Sequence, residues 1–218
     1  MKTGRFITIE GGEGAGKTTL IDGLAKRISK LGRSVLITRE PGGIPIAEDI
    51  RGVILDAGNT NMDARTEALL YAAARRQHLV EKVIPALNKG EIVICDRFID
   101  SSLAYQGYAR GIGMDAIWEI NRFAVEETMP DLTLWMDVRP ETGLARINKA
   151  SSREINRLDL EGLVFHQKVQ DGYRILQQRY PERIIRIDAE QPSELVLEQV
   201  FMELDQRFKG FFATDVKL

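Results

Sequence analysis

Gly11, Gly12, Glu13, Gly14, Ala15, Gly16, Lys17 and Thr18 fit the pattern GxxxxGK[ST], and each residue type in it has a chemical use. Glycines let backbone N–H groups turn inward as an anion nest, the lysine reaches the β- and γ-phosphates, and the hydroxyl after it can ligate Mg²⁺. This run, continued by Thr19, is expected to bind a nucleoside triphosphate. A second group of chemically capable residues follows much later, in Asp96-Arg97-Phe98-Ile99-Asp100-Ser101-Ser102-Leu103-Ala104-Tyr105-Gln106-Gly107. Asp96 can hold Mg²⁺ directly or through water, against the plainer role of a helix N-cap. Arg97 can bridge donor and acceptor phosphates as their charges converge, against a surface ion pair.

A general base is hard to find in this chain. It has two histidines, His78 and His166, and neither stands in a nucleophile–base arrangement. A neutral hydroxyl acceptor would want a catalytic carboxylate base. A phosphate monoester, with a second pKa of about 6, is already anionic at pH 7 and needs only positioning and charge neutralisation.

These residues must be carried by regular elements. Phe6 to Ile9 form a β-branched and aromatic run before the glycine loop, and Leu20, Ile21, Leu24, Ala25, Ile28 and Leu31 repeat at helical spacing after it, up to Gly32. Further short apolar runs, at Val35–Ile37, Ile92–Cys95, Leu132–Met136 and Ile184–Ile187, alternate with helical patterns. Continuous runs suit strands buried on both faces, and alternation with helices suits right-handed crossovers. The expected fold is α/β, a P-loop NTPase fold with a five-stranded parallel sheet flanked by helices on both faces. Ligands gather beyond the carboxyl ends of such strands, and charged residues stand there at Glu10, Arg39-Glu40, Asp96-Arg97 and Asp137.

The 218 residues, 44% hydrophobic, suit one domain spanning residues 1–218. A polar, arginine-rich stretch at about 146–158, with Arg146, Arg153 and Arg157, breaks the apolar periodicity. Beside a triphosphate site it is expected to act as a mobile lid that excludes water, although charge alone would suit a solvated loop. A net charge of −2 and a sequence pI near 5.8 argue against a nucleic-acid partner. The single cysteine, Cys95, excludes an intrachain disulfide, and the chain has neither a leader pattern nor a membrane-length apolar run. A cytoplasmic protein without a membrane partner is expected. Residues 209–218 carry no readable signal.

Three separated segments, residues 11–18, Arg39-Glu40-Pro41-Gly42-Gly43 and residues 96–107, together resemble the thymidylate kinase family. The resemblance runs from Phe6 to about Phe208. It implies transfer of the ATP γ-phosphate to dTMP with Mg²⁺, giving dTDP on the way to dTTP, and a homodimer, to whose face Trp118 and Phe123 could belong. It further implies that Arg51 and Arg97 bind the acceptor phosphate and that Glu40 lies near the sugar and metal. On the helical segment from Glu67 to His78, Tyr71 and Arg75 are four apart and share a face. By resemblance Tyr71 stacks on thymine and Arg75 donates to its O4, while Gln106 contacts N3, Ser102 approaches the base edge and Tyr105 crowds the sugar. An arginine can only donate, so the 4-amino group of cytosine would meet a second donor. The loop interior carries no arginine. That likens the chain to bacterial members whose lid arginine meets the transferring phosphoryl, with Arg153 as the first choice and Arg157 as the second.

Two rival readings remain at this point. A nucleotide kinase for a different base would share fold and loop and differ in the acceptor pocket. A guanine-reading switch would need NKxD after a strand, whereas Asn88-Lys89-Gly90-Glu91 precedes one and lacks the aspartate.

Overall fold

The computed structural model describes residues 4–149 and 157–208. Five strands, β1 (Arg5–Gly11), β2 (Val35–Arg39), β3 (Ile92–Asp96), β4 (Leu132–Asp137) and β5 (Ile184–Asp188), pair in parallel in the order β2-β3-β1-β4-β5. Each of the five expected strands is present. Each also runs one or two residues further at its carboxyl end, so Glu10, Arg39, Asp96, Asp137 and Asp188 are fixed by sheet register rather than by loops.

The alternation of side chains along a strand divides the core in two. Phe6, Val93, Cys95 and Trp135 point to one face, where they meet Leu79, Leu103, Ile117 and Tyr173. Ile7, Ile9, Ile94, Leu134 and Met136 point to the other. There they pack on Leu20, Leu24 and Ile28 of helix α1 (Lys17–Lys30) and on Val196, Val200 and Leu204 of a helix at Ser193–Arg207. Helix α1 ends at the expected stop, where Gly32 has φ 72, in the left-handed region open to glycine.

Helices α2 (Pro45–Leu55) and α3 (Ala64–His78) follow β2. Asp63 caps α3 by accepting from the backbone N–H groups of Arg65 and Thr66. A π-helical turn at Leu79–Val83 joins α3 to the short α4 (Ile84–Asn88). Beyond β3, α5 (Ile99–Ser102) runs into a second π-helical stretch, Leu103–Ala109, and α6 (Met114–Val125) follows. After β4 comes α7 (Pro140–Lys149), a 3₁₀ turn at Arg157–Leu160 and α8 (Leu163–Arg179), and α9 (Ser193–Arg207) closes the order.

The segment expected to act as a lid is regular at both ends, in the last turn of α7 and in the 3₁₀ turn. Residues 150–156, Arg153 among them, and residues 209–218 lie outside the described residues. Among the described residues no helix is long and apolar enough to cross a membrane.

The chain leaves β1 in one direction for β2 and later returns to the other side for β4, so the strand order reverses at β1. The carboxyl ends of β1, β3 and β4 therefore open onto a crevice at that switch point, the usual ligand position in open α/β sheets.

Candidate active site

A cleft of ≈ 630 Å³ lies over those strand ends, bounded at one end by residues 13–19 and at the other by Tyr71, Arg75 and Gln106. Glu40, Arg51, Asp96, Arg97 and Tyr105 line the space between. The structure therefore brings together in one cavity residues as distant in sequence as Glu13 and Leu158.

The loop is closely backed. A Cβ on Gly14, which has φ 69, would stand 2.1 Å from the Gly143 carbonyl oxygen of α7, and a Cβ on Gly143 would stand 2.2 Å from that of Glu13. Gly16 sits left-handed just before α1, so the helix opens at Lys17 with its free N–H groups toward the cleft. The Lys17 ammonium donates to the carbonyls of Gly12 at 2.9 Å and Gly11 at 3.3 Å. Burial, and Arg97 beside it, hold its pKa below the ordinary 10.5. A triphosphate would relieve both effects by supplying negative charge. Gly11 and Gly12, expected in the binding loop, lie behind it as carbonyl acceptors and not on the cleft wall. Arg146 reaches the loop from α7, 3.4 Å from the Gly14 carbonyl and 3.1 Å from that of Ala189.

Arg97 is held unusually firmly. Its φ of 67 is left-handed, a conformation that costs a non-glycine residue about 1–3 kcal/mol and that concentrates at functional sites. The backbone there is pinned by a 3.0 Å bond from the Arg97 N–H to Ile9 O. Its guanidinium donates to Gly11 O at 2.9 Å, Ser101 Oγ at 3.3 Å and Glu13 Oε1 at 2.5 Å, and it lies 5.1 Å from the Tyr105 ring centroid. The neighbouring Asp96 has a buried Oδ1 with no hydrogen-bond partner. An orphaned carboxylate oxygen on a cleft wall shared with Thr18, and close enough to Lys17 to act on its charge, is what a hard cation with oxygen ligands would complete. Thr18 and Asp96 thus fit Mg²⁺.

At the far end, Arg75 of α3 is 2% exposed and is gripped from three elements. It donates to Glu40 at 2.8 Å, to Ser102 at 3.1 Å and to Asn121, which engages three of the five N–H donors of an arginine and leaves the others for a ligand. Glu40 also accepts from His78 Nδ1 at 2.9 Å, and the other nitrogen of that ring meets Thr38 Oγ1 at 2.7 Å. Each oxygen of Glu40 thus holds one neighbour, Arg75 or His78, while the residue also lines the cleft, where the resemblance sets it near sugar and metal. Ser102 is likewise 2% exposed and off the cleft wall, behind Arg75 rather than at a base edge. Tyr71 lines the cleft one turn before Arg75. Burial, and then Glu67, push its phenol up to about 12, so it stays neutral.

Gln106 donates through Nε2 to Glu67 at 2.6 Å. Glu67 also accepts from Arg110 and from Arg157, whose Nε donates to Ile54 O at 2.9 Å. Arg157, the second choice for the transferring phosphoryl, bonds in this structure at the far end of the cleft; among the described lid residues Arg146 stands beside the loop.

Beneath Arg97, the fully buried Glu10 accepts from Phe98 N–H at 2.7 Å, Ser101 Oγ at 2.5 Å and Tyr173 OH at 2.9 Å. Burial first, and Asp100 nearby, raise its pKa from 4.5 to about 7. Asp100 itself takes a forked pair from Arg183 at 2.6 and 2.8 Å. The sequence gives Glu67, Asn121 and His78 no role in the site, and it marks Glu10 without showing what it does. Glu10 alone gave a signal, as a charge ending a buried strand.

Three comparisons with known proteins agree. A sequence profile described as Thymidylate kinase matches residues 9–200. A thymidylate kinase of Halalkalibacterium halodurans is 60% identical over 207 residues, covering 95% of this chain and 99% of that one. One of Bacillus cereus (strain AH187) is 57% identical over 204 residues, covering 94% and 98%. The crystal structure of thymidylate kinase from Ehrlichia chaffeensis superposes with a TM-score of 0.75 at 32% identity, over 93% of this chain and 98% of that one.

Proposed function

The chain belongs to the thymidylate kinase family, and from that premise and the shape of its cleft we propose how its residues carry the reaction. It is a phosphotransferase that moves the γ-phosphoryl group of ATP to dTMP, giving ADP and dTDP. The observation that carries the residue assignment is the single cleft that joins the glycine loop to the Arg75–Gln106 end.

The N–H groups of residues 13–19 cradle the ATP phosphates, and Lys17 exchanges the carbonyls of Gly11 and Gly12 for phosphate oxygens. Thr18 and Asp96 would hold Mg²⁺, which when bound neutralises the phosphate oxygens during transfer. Arg97 and Arg51 bind the dTMP phosphate, and the rigid backbone of Arg97 aims its guanidinium between donor and acceptor. The acceptor oxygen is already ionised at pH 7, so no base removes a proton. Residues 146–158 act as a lid on the one domain, with Arg146, near the loop, and Arg153 as donors to the transferring phosphoryl.

Thymine lies against Tyr71. A spare N–H of Arg75 donates to its O4, and the Oε1 of Gln106 accepts from its N3–H. Tyr105 fills the space that a 2′-hydroxyl would need. Two chains form a homodimer through α3 and α6, where Leu69 is 56% and Phe123 87% exposed; light scattering should give twice 24.5 kDa. Trp118, by contrast, packs against the core. The fold and the small-molecule substrates suit a cytoplasmic enzyme.

A coupled assay of ADP release with ATP and each common nucleoside monophosphate tests the reading. Turnover should be fastest with dTMP; a higher kcat/KM with a purine or cytidine monophosphate would overturn it.

A further inference from the structure

We infer that Glu67 is the positioning residue that sets which atom of the Gln106 amide faces the base, and so is a determinant of thymine-over-cytosine selection. The inference rests on the reading of Arg75 and Gln106 as the base-reading pair.

A glutamine amide has a donating and an accepting end that are nearly equal in shape, so its orientation is decided by its neighbours. Gln106 is 2% exposed and Glu67 is 1% exposed, and only 2.6 Å separates Nε2 from Oε1. An ionised carboxylate can only accept. Turning the amide over would set two acceptors against each other at that distance in a buried site, so the amino group is held toward Glu67 and the carbonyl oxygen toward the cleft that Gln106 lines. The charge of Glu67 is sustained there by Arg110 and Arg157, which donate to its other oxygen. Without them a buried carboxylate would be too costly to keep ionised.

The consequence is chemical. A fixed carbonyl oxygen accepts from the N3–H of thymine and repels the bare N3 of cytosine. An amide free to turn would offer its amino group to cytosine and lose the distinction. Gln106 and its neighbour Tyr105 lie in the π-helical stretch Leu103–Ala109, and both line the cleft.

The test measures kcat/KM for dTMP and dCMP in the full chain, in Glu67→Gln, in Gln106→Ala and in the double variant. A glutamine at 67 can donate or accept, so it releases the amide. Glu67→Gln should lower the dTMP preference by at least about tenfold, the worth of one mis-set buried hydrogen bond, chiefly through the KM for dTMP. In the Gln106→Ala background the same change should have no further effect on the preference. If Gln106→Ala leaves the preference unchanged, the base-reading assignment itself fails. If Gln106→Ala lowers it and Glu67→Gln does not, the role of Glu67 alone is overturned. An effect of Glu67→Gln that persists without Gln106 would mark a general structural role and also overturn it. Should Glu67→Gln fail to fold for want of a counter-charge to the two arginines, Glu67→Asp keeps the charge, withdraws it from Gln106 by one methylene and is read in the same way.

Discussion

Glu10 offers a stability measurement that the fold makes quantitative. Its carboxyl group, fully buried under Arg97, titrates near 7 in place of 4.5 because of burial and of Asp100 nearby. Between those two values the native state holds a proton that the unfolded chain has released. Native binding exceeds unfolded binding there, so stability falls as pH rises. The contribution of this carboxyl is complete below 4.5 and lost once pH passes about 7. The interval, at about 1.36 kcal/mol per pH unit, is worth about 3 kcal/mol.

Glu10→Gln removes the titration and can keep the contacts. Its carbonyl oxygen accepts from Phe98 N–H, and its amino group faces the Ser101 and Tyr173 hydroxyls, which can rotate to accept. Thermal melts of both proteins from pH 4.5 to 8 supply the assay, and the difference in Tm at each pH cancels the other carboxylates. That difference should shift in favour of the glutamine variant by about 6–12 °C across the range, taking 2–4 °C per kcal/mol for a chain of this size. A Tm difference that stays constant with pH would refute the raised pKa and the buried, charge-crowded site from which it comes.

Three substitutions probe other parts of the cleft. Gly14→Ala puts a methyl group 2.1 Å from the Gly143 carbonyl at φ 69; the KM for ATP should rise at least about tenfold, and strain of about 1–3 kcal/mol should lower Tm by several degrees. Asp96→Asn weakens the proposed metal site, so the Mg²⁺ concentration for half-maximal rate should rise about tenfold or more, read from rate against free Mg²⁺. Arg153→Ala should lower kcat far more than it changes ATP affinity, because a contact made mainly in the transition state moves turnover; unchanged turnover would remove Arg153 from the mechanism.

What could be read from the sequence was what local spacing encodes. Five apolar runs marked five strands, the glycine loop announced itself, and the spacing of four between Tyr71 and Arg75 put both on the cleft wall. What escaped was the buried layer that holds those residues. Glu67 meets Gln106 across 39 positions, Arg75 meets Asn121 across 46, and Glu10 meets Tyr173 across 163. Such partners share no periodicity, because the sheet and not the chain brings them together. The same cause hides the second role of Glu40 and Ser102, which by position look like ligand contacts and which in the structure also hold Arg75. Nor does spacing separate Arg146 from Arg157, which are close in sequence and bond at opposite ends of the cleft.

The central claim is that the far end of the cleft presents a donor at Arg75 and an acceptor at Gln106, a pattern complementary to thymine. A competition decides it: equimolar dTMP and dCMP with limiting ATP, and the ratio of diphosphate products read by chromatography, which reports the ratio of kcat/KM values directly. Cytosine mismatches both positions, at about 1–3 kcal/mol each, so dTDP should exceed dCDP by a factor of about 30 to 10⁴. Comparable amounts of the two products, or an excess of dCDP, would contradict the account.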